Sequence, residues 1–200
     1  MWSCTRCAEG LGPLLLLLIA LLAAGCGGSS APAPKDGHYR NDKVRYRFDY
    51  PASWRDASQA VTIQVSEGKL DLVDKVAVGN LEENTGILNG VMVIVVRIDH
   101  EVTPDGLEKE LSDVDGLYKQ FAANVAGALT TREGAELGGL SARQYVVQFA
   151  YLGMVEVASA HVVTFFGDRQ YTVNCQGRAS RFDSDVLPGC EKILESFRFK

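Results

Sequence analysis

Residues 155–175 read VEVASAHVVTFFGDRQYTVNC. Val155–Phe166 and Arg169–Cys175 are rich in β-branched and aromatic residues, which fit a pleated, half-buried surface. Gly167-Asp168 between them is a two-residue hairpin signal with glycine in the first turn position. Immediately upstream, Arg143, Tyr145, Val147, Phe149 and Tyr151 alternate with Gln144, Val146, Gln148 and Ala150, a period of two that predicts another strand. Neighbouring strands joined by short turns pair antiparallel, so this half of the chain reads as an antiparallel sheet.

Upstream again, Leu107, Leu111, Val114, Tyr118, Phe121 and Val125 recur at alternating steps of four and three. That spacing places one apolar stripe on a long helix, about Asp105–Ala126, with Thr103-Pro104 as cap and first-turn proline. Gly106 and Gly116 weaken it, and Ser112-x-x-Asp115 resembles a second helix start, so a break near Ser112 is open. Val91–Ile98 is a continuous β-branched run, as in a central strand covered on both faces. Val61–Val65 and Lys75–Leu81 are further candidate strands. Val44, Tyr46, Phe48 and Tyr50 alternate with Arg45, Arg47 and Asp49 in a first strand that Pro51 ends. A short helix, about Pro188–Ser196, and a last strand at Phe197–Phe199 close the chain. The fold class is α+β: a largely antiparallel twisted β-sheet flanked by one long and one short helix.

The N-terminal end carries an address. Leu11–Ala24, interrupted by Gly12 and Pro13, is the only long apolar run. It is too short to span a bilayer comfortably and fits the apolar region of a secretory signal, although the preceding segment has only Arg6 as a basic side chain. It ends Leu22-Ala23-Ala24-Gly25-Cys26, which looks like a lipobox with Ala23 where leucine is commoner. Residues 1–25 then form a cleaved signal, and Cys26 becomes a lipidated N-terminus whose two acyl chains suffice for stable anchoring. The alternative is an ordinary secretory signal with Cys26 as a bystander. Gly27–Pro34 is a Gly/Ser/Ala/Pro spacer, so residues 26–37 read as a tether and 38–200 as one domain. The expected location is the cell membrane, lipid-anchored on its extracytoplasmic face.

Of the five cysteines, Cys4 and Cys7 leave with the signal and Cys26 is consumed by lipid. Cys175 and Cys190 remain, either as a disulfide, which an oxidising compartment favours, or as two free thiols. The Cys4-x-x-Cys7 spacing lies in the discarded signal and precedes no βαβ unit.

Tyr46-x-Phe-x-Tyr-Pro-x-x-Trp54, the mid-chain helix followed by a strong hairpin, and the closing Cys190-x-x-Ile-x-x-Ser-Phe197 together resemble the PsbP/DcrB-like superfamily, in particular its bacterial lipoprotein members. The resemblance covers residues 38–200 and implies an antiparallel sheet flanked by helices. It also implies an accessory or interaction role rather than a shared enzymatic activity. No cofactor-binding residue of the photosynthetic members can be matched here.

Little in the sequence carries chemistry. The net charge of −5 and the scattered Lys and Arg lack the basic footprint of a nucleic-acid binder. Gly139-Leu-Ser141-Ala-Arg143 has two features of a nucleophile elbow, but Arg143 replaces the required small residue, and a turn into a strand is the plainer reading. His38 falls near the tether, His100 follows the Val91–Ile98 strand, and His161 lies within a strand. Asp71/Asp74, Asp113/Asp115 and Asp183/Asp185 read as solvated turns or helix faces, since Leu111 breaks the calcium-loop pattern around Asp113. No catalytic, metal or cofactor site is assigned. The candidate binding surface is Tyr46, Phe48, Tyr50 and Trp54 with Arg45 and Arg47, the arginines on the solvent face of an edge strand. Core packing is the leading reading of the aromatics, with the binding surface as the alternative, and docking of the basic residues on anionic headgroups is an alternative for the arginines. The expected function is a non-enzymatic, membrane-anchored accessory or interaction domain with an envelope protein partner. The alternative is a binder of an apolar, lipid-like ligand, and the third class is a hydrolase with an unrecognised site.

Overall fold

The computed structural model describes residues 34–35, 37–61, 71–82, 85–151 and 153–200. The signal, Cys26, most of the tether and residues 62–65 of the expected second strand lie outside the described residues. Among the described residues, nine extended segments and two α-helices follow one another: β1 His38–Asn41, β2 Tyr46–Asp49, β3 Arg55–Asp56, β4 Asp71–Leu81, β5 Leu88–Val102, α1 Leu107–Asn124, β6 Ala128–Leu137, β7 Leu140–Tyr151, β8 Val155–Arg178, α2 Leu187–Ser196 and β9 Arg198–Phe199. The small sheet runs β1-β2-β9 and the large one β3-β4-β5-β8-β7-β6. Their strands pair antiparallel throughout. The chain is thus α+β, with one long and one short helix.

β8 is a hairpin, not one straight strand. Its 24 residues would extend to about 80 Å if straight. Yet Ser159 Oγ lies 2.9 Å from Asn174 Oδ1. The first arm pairs with β7 through Val155–Val163, whereas Gly167–Gln176 faces β5. The chain folds back at Gly167-Asp168, and Gly167 has φ 63°, a conformation glycine adopts without a Cβ clash. The expected turn is therefore the centre of the large sheet.

The two faces of that sheet are covered differently. On one, Val91, Val93, Val95, Ala158, Ala160, Val162, Tyr171, Val173 and Cys175 pack under the small sheet and α2, against Tyr46, Phe48, Trp54, Ile193 and Phe197. Cys175 and Cys190 form a disulfide that fastens the second arm of β8 to α2. On the other face α1 lays Leu111, Val114, Tyr118 and Phe121 on Tyr145, Val147, Val163 and Phe165. A separate cluster packs Ala57 and Val61 with Met92, Ile94 and Val96.

Several expectations need correction. α1 runs unbroken through Ser112: burial of its stripe on the sheet outweighs the weak propensity of Gly116, whose Cα faces open space. Pro104 opens a single 3-10 turn rather than the α-helix. Thr103 makes no side-chain cap there, its carbonyl accepting from Gly106 N instead. Val44 and Arg45 lie in the turn between β1 and β2 rather than in a strand, and His38 opens β1. Arg47 sits on β2, the middle strand of the small sheet and not an edge. β6 is an outer strand for which the sequence carries no alternating pattern, because it is exposed along most of its length.

Candidate functional site

The aromatics pack in the core, as their leading reading expects, and not as the alternative binding surface. Tyr46, Phe48, Tyr50 and Trp54 are all buried, so they offer no face to a partner. The apolar side of the alternating strand turns inward beneath α2 and β9, where Tyr46 and Phe48 stack on Phe197 at ring-centroid distances of 5.4 and 6.2 Å. Of the six candidates only Arg45 and Arg47 reach solvent.

Beneath those rings lies a buried carboxylate. Asp74 Oδ2 accepts from Tyr46 Oη at 2.6 Å, Tyr39 Oη at 3.0 Å and Asn41 Nδ2 at 2.9 Å. Burial, followed by the Asp74 charge, pushes both phenols well above the ordinary tyrosine range. Asn41 turns this anchor outward: its Oδ1 accepts from Lys43 N at 3.1 Å and Val44 N at 3.3 Å. Tyr171 Oη donates to Val44 O at 2.8 Å, and Lys200 N donates to Arg45 O at 2.9 Å.

These contacts hold Arg45 at φ 63°, a left-handed conformation that is strained for a residue with a Cβ. From that backbone the exposed Arg45 side chain extends over Phe166, its guanidinium carbon 5.5 Å from the ring centroid. Among the described residues no carboxylate is within ion-pair range of it.

Arg45 and Phe166 border an open groove of about 590 Å³. Four separate turns build it: the β1–β2 turn, the β5–α1 connection at 101–107, the β6–β7 turn at 139–141 and the β8 hairpin tip at 165–169. Val102, Leu107, Leu140 and Phe165 supply apolar wall. Charge sits beside it. Asp168 is shared between Arg97 at 3.6 Å and Arg169 at 3.5 Å, whereas Glu101 has no ion pair among the described residues. Such a mixture of apolar wall and a few placed charges is the usual make-up of a binding site. Sequence reasoning named Arg45 but missed the groove, because its members come from segments with no shared motif.

The interior of the sheet holds a second polar group. His161 Nε2 lies 2.6 Å from Ser159 Oγ, which donates to Asn174 Oδ1. With the serine proton spent on Asn174, His161 donates from Nε2, and its bare Nδ1 has no partner. Burial lowers the His161 pKa to about 3, so the ring is neutral. A nucleophilic triad needs a base that accepts the serine proton and a third group that orients it. Here the serine donates to Asn174 and Nδ1 meets no partner among the described residues, which is not the arrangement of a triad. Ser141, of the elbow-like motif, accepts on its carbonyl from Thr164 Oγ1 at 2.6 Å.

The acidic residues are structural. Asp115 accepts from Tyr145 Oη at 2.8 Å, Asp113 pairs with Lys109 at 3.2 Å, and Asp71 pairs with Arg97 at 3.0 Å. Among the described residues no group of three or more His, Cys, Asp or Glu is placed to hold a metal ion, and no helix is long and apolar enough to cross a membrane.

No family model and no curated protein matches the chain. Solved structures similar to it include a protein of Bacteroides thetaiotaomicron, at 12% identity and a TM-score of 0.49 over 83% of this chain. The chain spans 49% of that protein's length. CyanoP, the PsbP protein of Synechocystis, is 18% identical with a TM-score of 0.46, over 88% of this chain and 100% of its own. LpqN of Mycobacterium tuberculosis, described as involved in cell envelope biogenesis, is 13% identical with a TM-score of 0.43, over 78% of this chain and 83% of its own.

Proposed function

We propose that this chain is a non-enzymatic binding module of the cell envelope, tethered through a lipid on Cys26 and acting through the groove beside Arg45. The observation that carries the reading is an exposed guanidinium, without an ion pair among the described residues, bordering an open cavity of about 590 Å³ with apolar walls. A carrier that encloses its cargo needs a cavity burying most of the ligand. An open groove suits an accessory protein that holds an exposed group of its partner. The buried Ser159–His161–Asn174 group supplies no activated nucleophile, which favours binding over hydrolysis.

The test is site-specific photo-cross-linking in cells. A benzophenone side chain at Leu140, in the groove wall, is expected to trap a discrete adduct, whereas the same probe at the exposed Lys119 on α1 is not. Identical adducts from both positions, or none from Leu140, would overturn the groove as the working surface. Acyl labelling of Cys26 tests the tether separately, and unchanged labelling in Cys26→Ser would overturn it.

A further inference from the structure

The groove has an uneven charge ledger that narrows its occupant. Asp168 is neutralised from both sides by Arg97 and Arg169. Two charges of the lining are left without an ion pair among the described residues, the cation Arg45 and the anion Glu101. Apolar wall accompanies them at Val102, Leu107, Leu140 and Phe165. A fatty acid or phospholipid would complement the wall and Arg45 but would leave Glu101 beside an apolar chain. A polypeptide can present an acid, an apolar side chain and a base within a few residues.

Arg45 is held for this purpose rather than left to choose its position. Its left-handed backbone is braced by Asn41, Tyr171 and Lys200, and Asn41 is itself held by the buried Asp74. A strained residue fixed by its surroundings points to a functional constraint. A guanidinium stacked on Phe166 keeps its planar edge available for a carboxylate. Glycines at the groove's turns have room around them: an added Cβ at Gly139 or at Gly167 would meet nothing within 4 Å. Backbone there is accessible to a second chain.

We infer that the groove seats a short segment of a partner protein in which an apolar side chain lies between an acidic and a basic residue, the acid on Arg45 and the base on Glu101. This rests on the groove being the working surface and adds the chemistry of what fills it. Charge complementarity, rather than the apolar wall, then selects the segment.

The experiment is selection from a random twelve-residue phage-displayed library on the full chain in nanodiscs, followed by affinity measurement on the selected peptides. Selected sequences are expected to share an acid, an apolar residue and a base. Arg45→Asn, which tolerates the left-handed backbone, is expected to weaken them at least tenfold with an unchanged melting temperature. Replacing the peptide acid by its amide should remove that difference, and Glu101→Gln should pair in the same way with the peptide base. Peptides without an acid, or peptides lost on Leu140→Asp yet indifferent to Arg45→Asn, would overturn the inference and leave the groove reading standing. Oleate binding that Arg45→Asn abolishes, with no peptide enriched, would overturn it in favour of a lipid. Binding indifferent to Leu140→Asp would overturn both readings.

Discussion

Tyr46 Oη and Asp74 Oδ2 meet at 2.6 Å in the interior, 28 residues apart in the chain. Together with Tyr39 and Asn41 they form a polar knot inside an aromatic cluster. Through Asn41 the knot sets the turn that carries Arg45. Asp74→Ala leaves three buried donors without their acceptor. The expected cost is about 3 kcal/mol, measured by urea unfolding. Because the turn loses its anchor, peptide affinity should fall in parallel with any loss of the Arg45 conformation.

The buried phenols make the protein alkali-sensitive. Tyr39, Tyr46, Tyr118, Tyr145 and Tyr171 all have pKa values raised chiefly by burial. An unfolded tyrosine ionises at about pH 10. Above that pH the unfolded state loses protons that the folded state keeps, so stability falls as pH rises. Unfolding midpoints should decline from about pH 10 upward, and Tyr46→Phe should blunt the decline.

His161 acts at the other end of the scale. Its folded pKa of about 3 lies below the ordinary histidine value of 6.5, so the unfolded state binds the extra proton between those values. Stability is full above pH 6.5 and is lost as pH falls towards 3. Between pH 7 and pH 5 the loss should be about 2 kcal/mol. His100, raised by Asp99 and Glu110, works in the opposite sense but is solvent-screened at the surface. His161→Gln should flatten the slope; a slope equal to wild type would remove His161 as its source.

Cys175 and Cys190 close a loop with a sequence separation of 15. Their replacement by alanine should lower stability by about 3 kcal/mol, read from urea midpoints in the absence of reductant. Because the bond fastens α2 to the second arm of β8, hydrogen exchange should quicken first in Leu187–Ser196.

Much of this architecture was legible because its signals were local. The Gly167-Asp168 turn, the β-branched run of β5, the stripe of α1 and the matched cysteines each announce themselves within a few residues. The strand at Ala128–Leu137 did not, since an exposed outer strand needs no apolar alternation. The aromatic motif at Tyr46–Trp54 was visible, and its single apolar face pointed to the core; what the sequence could not show is that Phe197 and Ile193 cover it. The groove was illegible for a different reason. It joins Arg45, Glu101, Leu140 and Phe166, which come together only once the turns of four elements share one end of the sheet.

A close approach at Trp54 gives a sharper packing test. Gly189 on α2 has space for a hydrogen only, since a Cβ there would lie 2.3 Å from the Trp54 ring. Gly189→Ala should destabilise the protein by roughly 1–3 kcal/mol through overpacking, despite alanine's better helix propensity. An increase in melting temperature would contradict the packing of α2 described above.

The most direct measurement places the photo-cross-linker at Leu140 in otherwise native cells and, in parallel, in Cys26→Ser cells. A discrete adduct with an envelope protein is expected from the anchored chain, weakened by Arg45→Asn and lost when Cys26 is replaced. An adduct that persists unchanged without Cys26 and Arg45 would contradict a tethered binding module that works through this groove.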